Sequence, residues 1–197
     1  MRRLLAVADD GRLATLIHMA VMTGLRLGEL LGLRWQDVHL ENSVISVRRT
    51  CQWLPRRGFI FRSPKTYRSA RPVSVPDGIV ERLREHRARQ LEERLVAGAA
   101  YQTNELVFAN AVGGPIHPNT IRDAWIKVAA KAGLKLRFHD LRHIHASLLL
   151  QQGVHPKVVS ERLGHSAVGI TLDVYSHVVP SLDAEAANRL EEMLANG

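Results

Sequence analysis

The side chains best suited to chemistry cluster between His139 and Tyr175. This stretch reads HDLRHIHASLLLQQG and then VHPKVVSERLGHSAVGITLDVYSH. His139 and Arg142 are three apart and share one face of the first turn of a predicted helix, for which Asp140 is a candidate cap. Leu141, Ile144, Leu148 and Leu149 fall at helical spacing behind them. Gly153 and Pro156 mark a break before a second short helix, which Gly164 ends. His165 follows in the helix-ending turn, and Tyr175 comes after an apolar-patterned run through Val168, Ile170, Leu172 and Val174. Two histidines, an arginine and a tyrosine are thus offered from helix starts and ends, where side chains converge on an anion. No acidic pair accompanies them to hold a metal. Taken singly each has a simpler reading: a helix-end histidine, a core tyrosine, a surface arginine. The order H-x-x-R, L-G-H-S, Y-S-H is what sets the group apart.

A second arginine stands earlier. Residues 12 to 24 read as a buried-face helix closed by Gly24, and LRLGELLGLRW begins another short helix near Arg26. Glu29 lies three residues on, where it can pair with Arg26 and orient it. Residues 43–50, 58–63 and 68–76 read as three strands. PKTYR between the second and third reads as a hairpin turn carrying Lys65. Arg62, Arg68 and Arg71 surround that lysine, a run that favours contact with phosphates. Pro72 and Pro76 mark the third strand as an edge. A charged helix is expected from Asp77 to about Val96, then a helix started by Pro118, Asn119 and Thr120. The tail after Pro180 carries Leu182, Ala186, Leu190 and Leu194 on one stripe, which predicts a last amphipathic helix.

Composition narrows the partners. Lys and Arg number 27 against 19 acids, a net charge of +8 and a pI near 10.4. Such a surface calls for a polyanion, most simply nucleic acid. Aromatic residues are only 5%, which favours backbone contact with duplex DNA over base stacking on a single strand. The one cysteine, Cys51, permits no internal disulfide. No stretch approaches a membrane span, and the N-terminus makes a poor signal peptide. An intracellular, soluble protein is the expectation.

With these pieces together, the chain resembles the catalytic domain of tyrosine recombinases, the phage-integrase family. The resemblance rests on T-G-L-R-L-G-E-L around Arg26, S-P-K-T around Lys65, H-D-L-R-H at 139–143, L-G-H-S at 163–166 and D-V-Y-S-H at 173–177. It covers the whole chain in the family's order. It implies an α+β, mainly helical fold with a small three-stranded antiparallel sheet, and a single catalytic domain over 1–197 whose tail helix spans about 181–197. The N-terminal DNA-binding domains of the family are expected to be absent from this chain.

The resemblance also implies roles. A phosphodiester is cleaved by neutralising its oxygens, supplying a nucleophile and protonating the leaving alkoxide. Arg26 and Arg142 would clamp the phosphate, doing without metal or other cofactor what ions do in many nucleases. His165 would donate to a phosphate oxygen, and Tyr175 would attack to give a 3′-phosphotyrosine. His139 would accept the tyrosine proton, and Lys65 would protonate the 5′ oxygen. Glu29 would orient Arg26. The implied activity is site-specific recombination of double-stranded DNA without ATP, by a homotetramer assembled from free monomers, with DNA-bending or directionality proteins as possible accessories. A type IB topoisomerase shares this residue set, and a non-catalytic DNA-binding domain on the same fold is a further alternative.

Overall fold

The computed structural model describes residues 1–8, 11–63, 70–165, 167–169, 171–172 and 191–195. Helices come first: α1 (Arg2–Val7), α2 (Ala14–Thr23) and α3 (Leu27–Gly32). Short strands β1 (Val38–His39), β2 (Val44–Val47), β3 (Thr50–Leu54), β4 (Gly58–Arg62) and β5 (Arg71–Ser74) follow. Then come α4 (Asp77–Ala97), α5 (Pro118–Lys131), α6 (Asp140–Gln151) and α7 (Pro156–Leu163). Residues 191–195 are helical, but most of the expected tail helix lies outside the described residues. No described helix is long and apolar enough to cross a membrane.

The strands differ from the expectation in pairing. A three-stranded antiparallel sheet exists, but its order is β1-β2-β5, and β3 and β4 form a separate two-stranded ribbon. β5 therefore pairs with β2 and not with β4, and the expected turn PKTYR lies outside the described residues. Residue Ile45 pairs with Val73 in the first sheet, and Cys51 pairs with Phe61 in the second. The reason lies in the turn Pro55-Arg56-Arg57, where Arg56 and Gly58 both adopt positive φ and fold β3 back on β4. β5 is left at a sheet edge, as Pro72 requires.

One core joins α2, α3, the β1-β2-β5 sheet, α4 and α5 through Leu16, Met19, Leu30, Ile45, Leu83, Phe108 and Trp125. Trp125 is buried with its indole N–H donating to the Leu136 carbonyl at 2.7 Å, which satisfies the one polar atom of a large apolar side chain. A second, smaller cluster of Ala146, Leu150, Val159 and Leu163 locks α6 to α7. Truncating one of these leucines would cost about 2–5 kcal/mol. Polar bonds from α6 and α7 to the end of α2 tie the clusters together.

Candidate active site

Helix ends build the site. The last carbonyls of a helix have no partner within it and form the negative end of its dipole. α2 and α7 turn theirs toward each other, and basic side chains fill the space. Arg142 Nη1 donates to the Gly24 carbonyl at 2.9 Å and its Nη2 to the Leu163 carbonyl at 2.6 Å. Arg71 Nε donates to the Arg162 carbonyl at 2.6 Å. Arg162 reaches back to the carbonyls of Met22 at 3.1 Å and Ser74 at 2.9 Å. His145 Nδ1 lies 3.0 Å from the Val21 carbonyl.

Glycines make both ends possible. Gly24 ends α2 at φ 64° and Gly164 ends α7 at φ 65°. At Gly164 the His165 N–H donates to the Ser160 carbonyl at 3.0 Å and the Gly164 N–H to Glu161 at 3.0 Å, a Schellman closure. A Cβ on Gly164 would stand 2.8 Å from Arg71 Nη1, and one on Gly24 2.5 Å from Leu163.

One carboxylate sits among these cations. Glu29, 3% exposed, accepts from the Arg26 backbone N–H at 2.9 Å and from Arg26 Nη1 at 3.0 Å. Its two oxygens also take Arg71 Nη1 at 3.1 Å and Nη2 at 3.2 Å. Burial works to raise the Glu29 carboxyl, and the bonds from Arg71 and Arg26 outweigh it, so the group lies below its ordinary range. Glu29 thus does more than the sequence suggested, because it joins two arginines. Arg26 keeps its side chain 39% exposed and faces outward from the cluster.

Arg71 corrects a sequence expectation. It was expected among the phosphate-contacting residues around Lys65, but it is buried at 7% exposure against Glu29. The alternation of β5 explains this, since Arg71 is in phase with the buried Val73 and Val75. Arg62, at the end of β4, is exposed. Lys65, Arg68 and Tyr175 lie outside the described residues. Asp140 also differs. It is the first residue of α6, with His139 at the N-cap, and its carboxylate accepts the Arg137 backbone N–H at 2.8 Å instead of capping the helix.

Sequence reading missed His145 and Arg162. His145 Nε2 lies 3.2 Å from Arg162 Nε, so the pair braces α6 against α7 beneath Arg142. His145 stands three residues after Arg142, on the buried face of α6, and that spacing was the available signal.

Electrostatics follow from burial and like charge. Burial, then Arg26, pulls the Arg142 guanidinium down to about 9, which leaves it cationic at neutral pH. His165 is pushed down to about 4 by burial and then by Arg142, Arg26, Arg71 and His143. His139 is lowered by burial and then by His143, Arg142 and Arg26, and its ring meets His143 edge-on at 5.4 Å. Arg26, Glu29, His139, Arg142 and His165 are therefore gathered into one field of mutual influence. Among the described residues the cations bonded there outnumber the single carboxylate, an arrangement that an anion completes. A cavity of about 280 Å³ opens beside Arg71, Gly164 and His165.

This fold is that of tyrosine recombinase catalytic domains. It superposes on the Tn1549 transposon integrase, in a complex with transposon right end DNA, with a TM-score of 0.83 at 20% identity, covering 96% of this chain and 64% of the other. The XerA recombinase gives 0.71 at 26% identity, covering 95% and 61%. The phage integrase family matches residues 1–181, and the chain belongs to that family. A tyrosine recombinase XerC-like protein of Caldanaerobacter subterraneus is 37% identical over 92% of this chain. The ICEBs1 integrase of Bacillus subtilis is 34% identical over 91%. This chain spans about half the length of these relatives, 50% and 49% respectively.

Proposed function

We propose that the chain carries the catalytic machinery of a site-specific DNA recombinase, which cuts and rejoins duplex strands through a 3′-phosphotyrosine. The observation that carries this reading is the cluster of Arg26, Arg71 and Arg142 around Glu29, the one carboxylate bonded there among the described residues. A scissile phosphate supplies the missing negative charge. Arg142, held by two backbone carbonyls, has further N–H groups for its oxygens, and half-buried Arg26 closes from the other side. His165 donates a hydrogen bond to a non-bridging oxygen as charge builds there. His139, whose pKa is lowered by burial and then by His143, Arg142 and Arg26, accepts the Tyr175 proton. The tyrosine oxygen bonds to phosphorus as the 5′ oxygen leaves with a proton from Lys65. Attack by another strand's 5′ hydroxyl reverses these steps, so no ATP is consumed. Exchange between two duplexes requires further copies of the protein, and a homotetramer on duplex DNA in a bacterial cytoplasm is the assembly proposed.

The test is a nicked duplex carrying the element's attachment site, followed by denaturing electrophoresis. A covalent protein–DNA band should form and should disappear in Tyr175→Phe, which removes only the hydroxyl. An undiminished band in that variant would place the nucleophile elsewhere. Lys65→Ala should slow cleavage about 10²–10⁴-fold, the usual contribution of a general acid, and a substrate with sulfur at the bridging 5′ position should restore it. Persistent impairment on sulfur would make Lys65 an electrostatic clamp.

A further inference from the structure

Thr171 makes a contact that the chemistry above does not use. Its side chain is fully buried, at 0% exposure, and its Oγ1 lies 2.8 Å from His165 Nδ1. The backbone turns helically there, with the N–H groups of Thr171 and Leu172 both donating to the Val168 carbonyl, at 2.9 and 3.0 Å. Thr171 precedes Tyr175 by four positions in the sequence.

A neutral imidazole has one N–H, and the partner of one ring nitrogen decides which nitrogen holds it. Burial, and then the charges of Arg142, Arg26, Arg71 and His143, disfavour a second proton on His165. As a phosphate donor it must therefore hold its one N–H on Nε2. The same site contains the opposite case. His145 turns Nδ1 to the Val21 carbonyl and presents Nε2 to the N–H of Arg162. A carbonyl can only accept, so His145 holds its proton on Nδ1 and its Nε2 is an acceptor. A ring tied in that way would turn a lone pair toward a phosphate oxygen. A hydroxyl can donate as well as accept, and His165 has a hydroxyl at Nδ1.

We propose that Thr171 is a positioning residue: its hydroxyl donates to Nδ1 of His165 and so holds the ring's only N–H on Nε2, available to the scissile phosphate. The phosphate's place in this statement rests on the recombinase reading, whereas the tautomer does not.

Imidazole ¹⁵N spectra of the intact protein, assigned by loss of one signal set in His165→Ala, read the tautomer directly. The wild type should hold the His165 proton on Nε2. Thr171→Val keeps the branched shape and removes the hydroxyl. It should slow cleavage of the nicked duplex by about 10- to 100-fold, the usual effect of losing an outer hydrogen-bond partner. Duplex affinity should stay within about twofold, and Thr171→Ser should recover most of the rate. In a His165→Ala background Thr171→Val should have no further effect, because the two residues act as a unit. A proton on Nδ1 in the wild type would overturn the proposal, as would an equal loss in both backgrounds. If the wild type forms no adduct, the recombinase reading fails, and the spectra still decide where the proton sits. If Thr171→Val does not fold, the wild-type spectrum and Thr171→Ser decide.

Discussion

Arginine is used in two opposite ways along α4 and at the meeting of α2 and α7. α4 exposes Arg84, Arg87, Arg89 and Arg94 to solvent, interspersed with glutamates. A cleft of about 790 Å³ along that helix is lined by Arg12, Glu81, Arg82, Glu85, Arg89 and Glu93, with both signs present. At the other place the arginines are held on helix-end carbonyls around one carboxylate, and the cavity beside them is only about 280 Å³. The larger cleft has its charges balanced and wet, so no ligand is needed to complete it. The smaller one concentrates like charge where water screens poorly. Uncompensated burial, not cavity size, is what marks the site.

The sharpest way to break this contrast is Arg142→Lys. A lysine cannot fork between the Gly24 and Leu163 carbonyls and still face a phosphate. Single-turnover cleavage should fall about 10²–10³-fold, the loss typical of a transition-state donor. Stability should also fall, by about 1–3 kcal/mol for a buried carbonyl left unpaired. Arg84→Ala on α4 should change neither. Wild-type cleavage in Arg142→Lys would mean that charge alone suffices at this position.

How much of this was legible depended on whether the cause was local. Gly24 and Gly164 announced the helix ends, Arg26 stands where α3 starts, and α4 runs close to its expected bounds. Periodicity and caps are short-range effects, so sequence displays them. Strand pairing is not short-range. The positive φ of Arg56, which closes β3 on β4, has no strong residue signature. The burial of Arg71 was missed because the run of basic residues around Lys65 suggested phosphate contact, although its register with Val73 and Val75 put it inside. The partners of His145 and Arg162 lie far away in sequence on α2 and β5, so only the tertiary fold identifies them.

A second break uses acid. His145 is pushed down to about 4 by burial and then by Arg162 and Arg142. An unfolded histidine takes up its proton near pH 6.5, so the unfolded state binds more protons between pH 6.5 and 4. Stability from this group is therefore full above that window and is lost as pH falls through it. The loss is about 3 kcal/mol at 1.36 kcal/mol per unit. Urea unfolding at pH 7 and pH 4.5 should show a smaller difference in His145→Gln than in the wild type. Identical differences would show that His145 is not held neutral.

Glycine substitutions separate strain from collision. Gly153 and Gly164 end consecutive helices at φ 76° and 65°, but only Gly164 has a guanidinium where Cβ would go. Gly153→Ala should cost about 1–2 kcal/mol for its left-handed backbone alone. Gly164→Ala should cost more, and should slow cleavage by displacing Arg71 from Glu29. Equal melting temperatures and equal rates for the two variants would remove Arg71 from the site's support.

The smallest effect is expected where charge is most visible. Arg12 forms a forked pair with Glu93, its Nη2 at 2.7 Å from Oε2, and also donates to the Ala109 carbonyl at 3.0 Å. Its geometry is as good as any in the active site, yet the two side chains are 40% and 31% exposed. Water competes for both ends, and ordering two long side chains offsets much of the attraction. A double-mutant cycle with Arg12→Ala and Glu93→Ala should give a coupling of about 0.2–1 kcal/mol at low salt. It should shrink toward zero in about 1 M salt, where the screening length is about 3 Å. Cleavage should be unchanged throughout. A coupling above about 2 kcal/mol that survives salt would mean that this face is as insulated as the site around Glu29. The distinction between balanced surface charge and uncompensated buried charge would then fail.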